Sequence, residues 1–403
     1  MISEKQNLSL QLDLQWQDKF VHYKDRYFLL KTNFWRDVYP AQLDYQIKRA
    51  KLNQNIHIEY AAGDLICEEY SQSNFKTIPL RTFNQHYRGQ IPIIPVVGRF
   101  YPRGMIEGVA GCFKMDNRPF RIIGKTDTTL DIDLNHPLSD LPLELTATIT
   151  DIFDANQQNG GRCNDIDEVV TSGGPGLQKL LQDKPTDFFQ GMPFLRKINE
   201  DDVVFYQAIS STPPVDRAAI EQLQQFYQQN LSTDQTILEL MSGTDSYIPQ
   251  SIKPVNITGL ALKEDDLKAN KDLSQYQLHD LNQQPDLPFN DQQFDTVLCS
   301  FGIEYLIHPV EIFKQVARVL KPGGQFLVSF SNRFFDKKVI ALWDDIHEFE
   351  RMGLVLEYFR QSREFEDLHC ESMRGLIRYD DDPFPAKNVF SCPMFMLSGK
   401  KKG

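Results

Sequence analysis

From about Pro214 onward the sequence alternates two kinds of segment, and that alternation constrains the fold more than anything else in the chain. Short β-prone runs at Ile237–Met241, Val255–Leu260, Thr296–Phe301, Gln325–Phe330, Leu354–Phe359 and Phe395–Leu397 are separated by helical patterns at 264–272, 309–320 and 338–352. Ahead of the first run, Val215, Ala219, Leu223, Phe226 and Tyr227 share one stripe of a helix over Val215–Asn230. Pro322-Gly323-Gly324 ends the helix at 309–320 and opens the next strand. Strands joined through helices of this length cross over rather than fold back as hairpins. The expected fold for 213–403 is therefore α/β, a doubly wound, mostly parallel sheet with helices on both faces.

In such a sheet ligands bind beyond the carboxyl ends of the strands. The turn after the first strand reads Glu239-Leu240-Met241-Ser242-Gly243-Thr244-Asp245-Ser246, an acid followed by small residues that let a ligand approach the backbone. It carries one glycine where a dinucleotide fingerprint has three, which argues against an NAD site. The second strand ends at Gly259-Leu260, and the third unit supplies His279-Asp280-Leu281-Asn282. Ser300 and Phe301 close the fourth strand; Asn332 and Arg333 follow the fifth.

Taken in order, "LPFNDQQFDTVLCSFGIEYL" and "VARVLKPGGQFLVSFSN" resemble class I S-adenosylmethionine-dependent methyltransferases of the type-11 group, from about Thr236 to Lys400. The resemblance implies S-adenosylmethionine as cofactor. Glu239 matches the acid that holds the methionine amine or positions the cofactor loop, and Met241, Ser242, Gly243 and Ser246 match the loop beneath the methionine moiety. Asp280 matches the acid on the adenine amino group, with Leu281 donating its backbone N–H; Ser300 and Phe301 match the strand end beside the transferred methyl. The family usually places an acid two residues after the glycine of the second strand, to grip the ribose. Here Ala261 stands there, with Leu262 next, and ribose recognition is expected from elsewhere, Glu264 being the nearby acid. Phe205, Tyr206, Asp216, Ser246, Pro249, Asn332 and Arg333 resemble an uncharacterised subgroup with an upstream Phe-Tyr segment. Tyr206, Tyr305, Asn332 and Arg333 are the expected acceptor-facing residues. No catalytic residue is assigned.

The N-terminal half reads differently. Short runs at Ile56–Tyr60, Ile93–Val97, Pro119–Ile123, Leu130–Leu134 and Leu143–Ile152 lie between Gly, Pro, Asn and Asp, with Leu143, Leu145, Ala147 and Ile149 on one face of a strand. One helix is expected at about 41–52. The stretch Asp131–Ile149 with its Asn135-His136-Pro137-Leu138 turn, "IPLRTFN" and "GRFYPRGMI" are similar to SlyD-like FKBP-type prolyl isomerases and their insert-in-flap lobe. The resemblance implies an α+β, mostly β module that holds a polypeptide client. The region matching the isomerase pocket, 21–47, contains no glycine, and Gln42 stands at the helix start, so isomerisation is expected to be poor. Tyr27, Phe28, Phe34, Trp35 and Tyr39 are expected mostly in the core. His136 is read as a turn residue, and His308 as the cap of the helix beginning at Pro309.

The expected organisation is 1–155 as the FKBP-like module, 156–212 as connector, beginning in the Gly/Asn-rich 156–162, and 213–403 as the methyltransferase domain. A net charge of −12 argues against general nucleic-acid binding. The one basic run, 400–402, is read as a frayed end. No segment has the ~18 apolar residues that span a bilayer. Six cysteines without a close pair suggest reduced thiols of a cytoplasmic protein, with no metal site. Two functions compete: a methyltransferase with a polypeptide-binding module, and a chaperone-like binding protein on a methyltransferase fold that no longer turns over. Binding of S-adenosylmethionine separates them.

Overall fold

The computed structural model describes residues 2, 6–66, 68, 70–87, 92–154, 163–209, 213–254, 256–382 and 389–403. Two compact units emerge: Met1–Gly191 with Asp345–Gly353, and Met192–Asp344 with Leu354–Gly403. The Gly/Asn-rich 156–162 lies outside the described residues.

The first unit contains β1 (Asn7–Gln17), β2 (Val21–Asn33), α1 (Ala41–Ile47), β3 (Asn55–Tyr60), β4 (Phe75–Pro79), β5 (Phe100–Pro102), β6 (Pro119–Lys125), β7 (Thr129–Asp133), β8 (Leu143–Phe153) and α2 (Ile166–Thr171). Strands β2, β1, β8 and β3 pair in that order, all antiparallel. Alternation sets the buried face: Leu8, Leu10, Leu12, Leu14 and Trp16 of β1 and Leu143, Leu145, Ala147 and Ile149 of β8 are all buried. Between β3 and β8 the chain builds a second antiparallel sheet, β4-β7-β6-β5, with its own core of Ile78, Phe83, Tyr101, Phe120, Ile122, Leu130 and Ile132.

The second unit contains α3 (Asp202–Gln207), α4 (Arg217–Asn230), β9 (Thr236–Leu240), β10 (Asn256–Ala261), α5 (Glu264–Ala269), β11 (Gln275–Leu278), β12 (Phe294–Ser300), α6 (Pro309–Val319), β13 (Leu320–Ser331), α7 (Ala341–Asp345), α8 (Glu348–Ser362), β14 (Phe365–Arg374) and β15 (Met394–Lys401); the ends of α7 and α8 adjoin or cross the division at 345–353. Its strands run β11-β10-β9-β12-β13-β15-β14. The first five are parallel, and β15 is antiparallel to both β13 and β14. The order reverses between β9 and β12, so the expected ligand crevice lies beyond the carboxyl ends of those strands and their neighbours.

Four local expectations are corrected. Leu354–Phe359 is part of α8, not a strand; every residue from Leu354 to Phe359 is buried, which erases the helical period and leaves only a β-like apolar run. Ile93–Val97 forms no strand. Of Tyr27, Phe28, Phe34, Trp35 and Tyr39 none is buried in the core, and Trp35 is 65% exposed. The basic run is not frayed: Lys400 and Lys401 end β15, Lys400 Nζ lies 2.8 Å from Asp367, and Lys401 and Lys402 Nζ donate to the carbonyls of Leu320 and Arg363 at 2.7 and 2.6 Å.

Candidate functional site

Strand β9 carries Glu239 to its end, where the carboxylate is almost completely buried. Ser242 Oγ and Ser246 Oγ both donate to Glu239 Oε2, at 2.7 and 2.8 Å. Burial pushes the Glu239 carboxyl up to about 7, against the opposing effect of the two hydroxyls. The turn between them is held from two sides: Ser242 N–H donates to Leu260 O at 3.1 Å, and Asn270 Nδ2 donates to Gly243 O and Ser246 Oγ, each at 3.1 Å. Met241 takes a left-handed conformation, φ 54°, which turns its side chain against Gly302; a Cβ at 302 would sit 2.8 Å from its sulfur. A Cβ at Gly243 would meet nothing within 4 Å, so the backbone there faces open space.

Strand β11 delivers Asp280. Its Oδ1 accepts from the backbone N–H groups of Asn282 and Gln283 at 2.9 and 3.2 Å, while its Oδ2 is buried without a hydrogen-bond partner. Leu281 is buried. At the end of β10, Ala261 is buried, its carbonyl accepting from His279 N–H at 3.0 Å, and Leu262 is half-buried. Glu264, the nearby acid, pairs with Lys268 at 3.1 Å and accepts from Tyr276 at 3.2 Å.

Ser300 and Phe301 close β12. Ser300 Oγ is hydrogen-bonded to the Tyr227 hydroxyl. Phe301, φ 56°, meets Tyr247 edge-on with centroids 6.0 Å apart. Beyond them, Tyr206 of α3 and Tyr305 are brought together, 6.2 Å between centroids, with Phe205 and Phe335 completing an aromatic group; Tyr305 OH accepts from Phe335 N–H at 2.8 Å. Asn332 and Arg333, just past the end of β13, are exposed. His308 occupies the N-cap position of α6 without a side-chain cap bond. Half-buried His136 is tied to its turn, Nδ1 accepting from Leu138 N–H at 3.1 Å. Among the described residues no cluster of three or more His, Cys, Asp or Glu could hold a metal ion, and no helix is long and apolar enough to cross a membrane.

Sequence reasoning missed Asn282, Asn270 and the pair Asp202–Lys338. Lys338 is fully buried, its Nζ 2.8 Å from Asp202 Oδ1, and Arg196 Nη1 lies 2.8 Å from the same oxygen. Burial pushes the Asp202 carboxyl up, but the hydrogen bonds from Lys338, Asn282 and Arg196 outweigh it and hold the carboxyl below its ordinary value. Nothing local in "FFDKKV" marks one lysine as buried; the partner stands far back in the chain.

Residues 240–328 match the family described as "Methyltransferase domain". The chain is 34% identical over 98 residues to the ubiquinone/menaquinone biosynthesis C-methyltransferase UbiE of Bartonella quintana (strain Toulouse), covering 24% of this chain and 36% of that one. It is 29% identical over 96 residues to the mitochondrial 2-methoxy-6-polyprenyl-1,4-benzoquinol methylase of Mus musculus, covering 24% and 29%. The chain thus spans only about a third of the length of these relatives. Among solved structures, a SAM-dependent methyltransferase of Thermotoga maritima is 19% identical, with 46% of this chain and 91% of that one covered and a TM-score of 0.33.

Proposed function

We propose that this chain, whose second unit carries an S-adenosylmethionine-dependent methyltransferase domain, transfers the methyl group to an acceptor held beside the ends of β12 and β13. The observation that carries the reading is Asp280: one carboxylate oxygen is anchored by two backbone N–H groups, and the other is buried with no partner. A buried carboxylate oxygen left unpaired is costly, and an exocyclic amine of adenine is a donor that would satisfy it.

The remaining residues fit the same ligand. Glu239 would balance the methionine ammonium, Ser242 and Ser246 occupying Oε2 and leaving Oε1 to it. Gly243 would let the tail approach the backbone, Met241 and Ser246 would shape that turn, and the Leu281 N–H would face the adenine ring beside Leu262. When bound, S-adenosylmethionine supplies a methyl already activated on a positively charged sulfur. The chain's own part is then to bind, orient and exclude water. Ser300 and Phe301 would border the reacting end, with Tyr305, Phe335, Asn332 and Arg333 on the acceptor side.

The first unit is read as a polypeptide-holding module resembling SlyD-like FKBP proteins. Support comes from the lobe inserted between β3 and β8, with Phe113 and Met115 69% and 80% exposed and a groove of about 910 Å³ bordered by Leu80, Phe83 and His86. Its client would be the methyl acceptor or a protein carrying it.

Calorimetric titration of the full chain with S-adenosylhomocysteine tests the cofactor reading. Micromolar binding, about −8 kcal/mol, weakened by about 1–3 kcal/mol in Asp280→Ala, is the expected result. Absence of binding at millimolar ligand would overturn it in favour of a fold that no longer turns over.

A further inference from the structure

Helix α3 is moored at both ends to the turns assigned above to the adenosine half of the cofactor. At its start, Asp202 Oδ2 accepts from Asn282 Nδ2 at 3.0 Å; Asn282 stands two residues past Asp280. Just past its end, Ile209 O accepts from Lys263 Nζ at 2.8 Å; Lys263 stands two residues past Ala261. Asn282 also donates to Tyr305 O at 3.1 Å and accepts from Ile307 N–H at 3.0 Å, fixing the turn after β12 to the same point.

Between the two moorings sits Tyr206. Its ring packs on Tyr305 and Phe335, and its hydroxyl is buried with no hydrogen-bond partner. Burial, reinforced by the charges of Asp202, Glu304 and Asp280, keeps that hydroxyl protonated and therefore a donor. Asp280, one of the charges acting on that hydroxyl, has its Oδ2 buried and unpartnered. A ligand entering between the α3 moorings with one donor and one acceptor would satisfy both atoms. Ala261 offers no polar side chain at the position that would face the ribose, and Glu264 is engaged with Lys268 and Tyr276.

We propose that Tyr206 is a cofactor-binding residue: α3 closes the adenosine side of the site, and the Tyr206 hydroxyl donates to the adenosine a hydrogen bond that Ala261 cannot provide. The assignment rests on the reading of the second unit as an S-adenosylmethionine site. It moves Tyr206 from the acceptor side to the cofactor side, with Asn282 and Lys263 as positioning residues that act through α3.

The test is calorimetric titration of the full chain with S-adenosylhomocysteine and with 5′-methylthioadenosine, which lacks the amino-acid tail. Tyr206→Phe, which keeps the ring, is expected to weaken both ligands by the same factor, about tenfold. Lys263→Met is expected to weaken both several-fold. In the parent chain, amide exchange over 202–207 is expected to slow when S-adenosylhomocysteine binds. If Tyr206→Phe binds both ligands within twofold of the parent while Asp280→Asn is weakened, the Tyr206 assignment is overturned and the methyltransferase reading stands. Weakening of S-adenosylhomocysteine alone overturns it too, because the contact is then not to adenosine. Unchanged exchange over 202–207 in a saturated parent chain also overturns it. A parent chain that binds neither ligand overturns both readings.

Discussion

The hydroxyl of Ser246 lies 2.8 Å from the Glu239 carboxylate, with Ser246 wholly and Glu239 almost wholly out of solvent. A carboxyl at about 7 is close to half-protonated at neutral pH. An arriving ammonium favours the ionised form, so binding should expel a proton. Between pH 6 and pH 7, where the ligand amine stays charged, affinity for S-adenosylhomocysteine should rise about fivefold. For the free chain the sign is opposite: a raised carboxyl favours the folded state at acid pH, and that contribution is lost as pH climbs through about 7. Titration in buffers of different ionisation enthalpy measures the released proton; affinity independent of pH over this range would remove Glu239 from the ammonium site.

Gly302 is required by Met241. An added Cβ would lie 2.8 Å from the Met241 sulfur and 3.0 Å from its Cβ, and Met241 is already in a left-handed conformation. Gly302→Ala should cost about 1–3 kcal/mol by overpacking. It should also weaken S-adenosylhomocysteine, since the turn that must shift is the one carrying Ser242 and Gly243. Unchanged melting temperature and affinity would show that the turn yields freely.

Asp202→Ala strands the charge of Lys338 in a fully buried position and should destabilise the second unit by about 3–5 kcal/mol. The double variant Asp202→Asn, Lys338→Met should recover part of that loss in thermal unfolding. Because the Asp202 carboxyl is held below 3.8, the stability it contributes is full at neutral pH and is lost as pH falls through that region. A double variant no more stable than Asp202→Ala would mean that the charge pair is not the source of the effect.

Prolyl isomerisation should be weak. Helix α1 begins after Pro40 without a side-chain cap, Trp35 projects into solvent, and the Tyr39 hydroxyl is engaged by Thr32 rather than lining a pocket. In a protease-coupled proline-peptide assay the full chain should show less than about a tenth of the efficiency of an ordinary FKBP enzyme, the barrier to be lowered being ~18–20 kcal/mol. Efficiency within tenfold would contradict this.

The strand-end acids were legible in the sequence because a parallel sheet sends its functional residues to one edge, and Glu239 and Asp280 stand at that edge. The buried face of β8 was legible from simple alternation. What could not be read was long-range. Lys338 looks like a surface lysine until Asp202 is folded against it, and Asn282 looks like a loop asparagine until three segments converge on it. In α8 burial on all sides removed the periodicity that announces a helix, so Leu354–Phe359 passed for a strand. The lysines at 400–402 passed for a loose tail because charge predicts solvent, whereas the antiparallel pairing of β15 with β13 and β14 carries the strand out to Lys401.

The pairing of Tyr60 with Leu143 has a consequence for how the first unit is assembled. The chain leaves the β2-β1-β8-β3 ladder at Tyr60 and re-enters it at the residue directly opposite, so the whole lobe is, in topological terms, an oversized hairpin loop. Register between β3 and β8 is fixed by six successive partner pairs and does not depend on the lobe's contents. A lobe of different length can therefore be accommodated at this point without changing the β3–β8 register, and a chain with a tight turn joining residues 60 and 143 is expected to keep those six pairs.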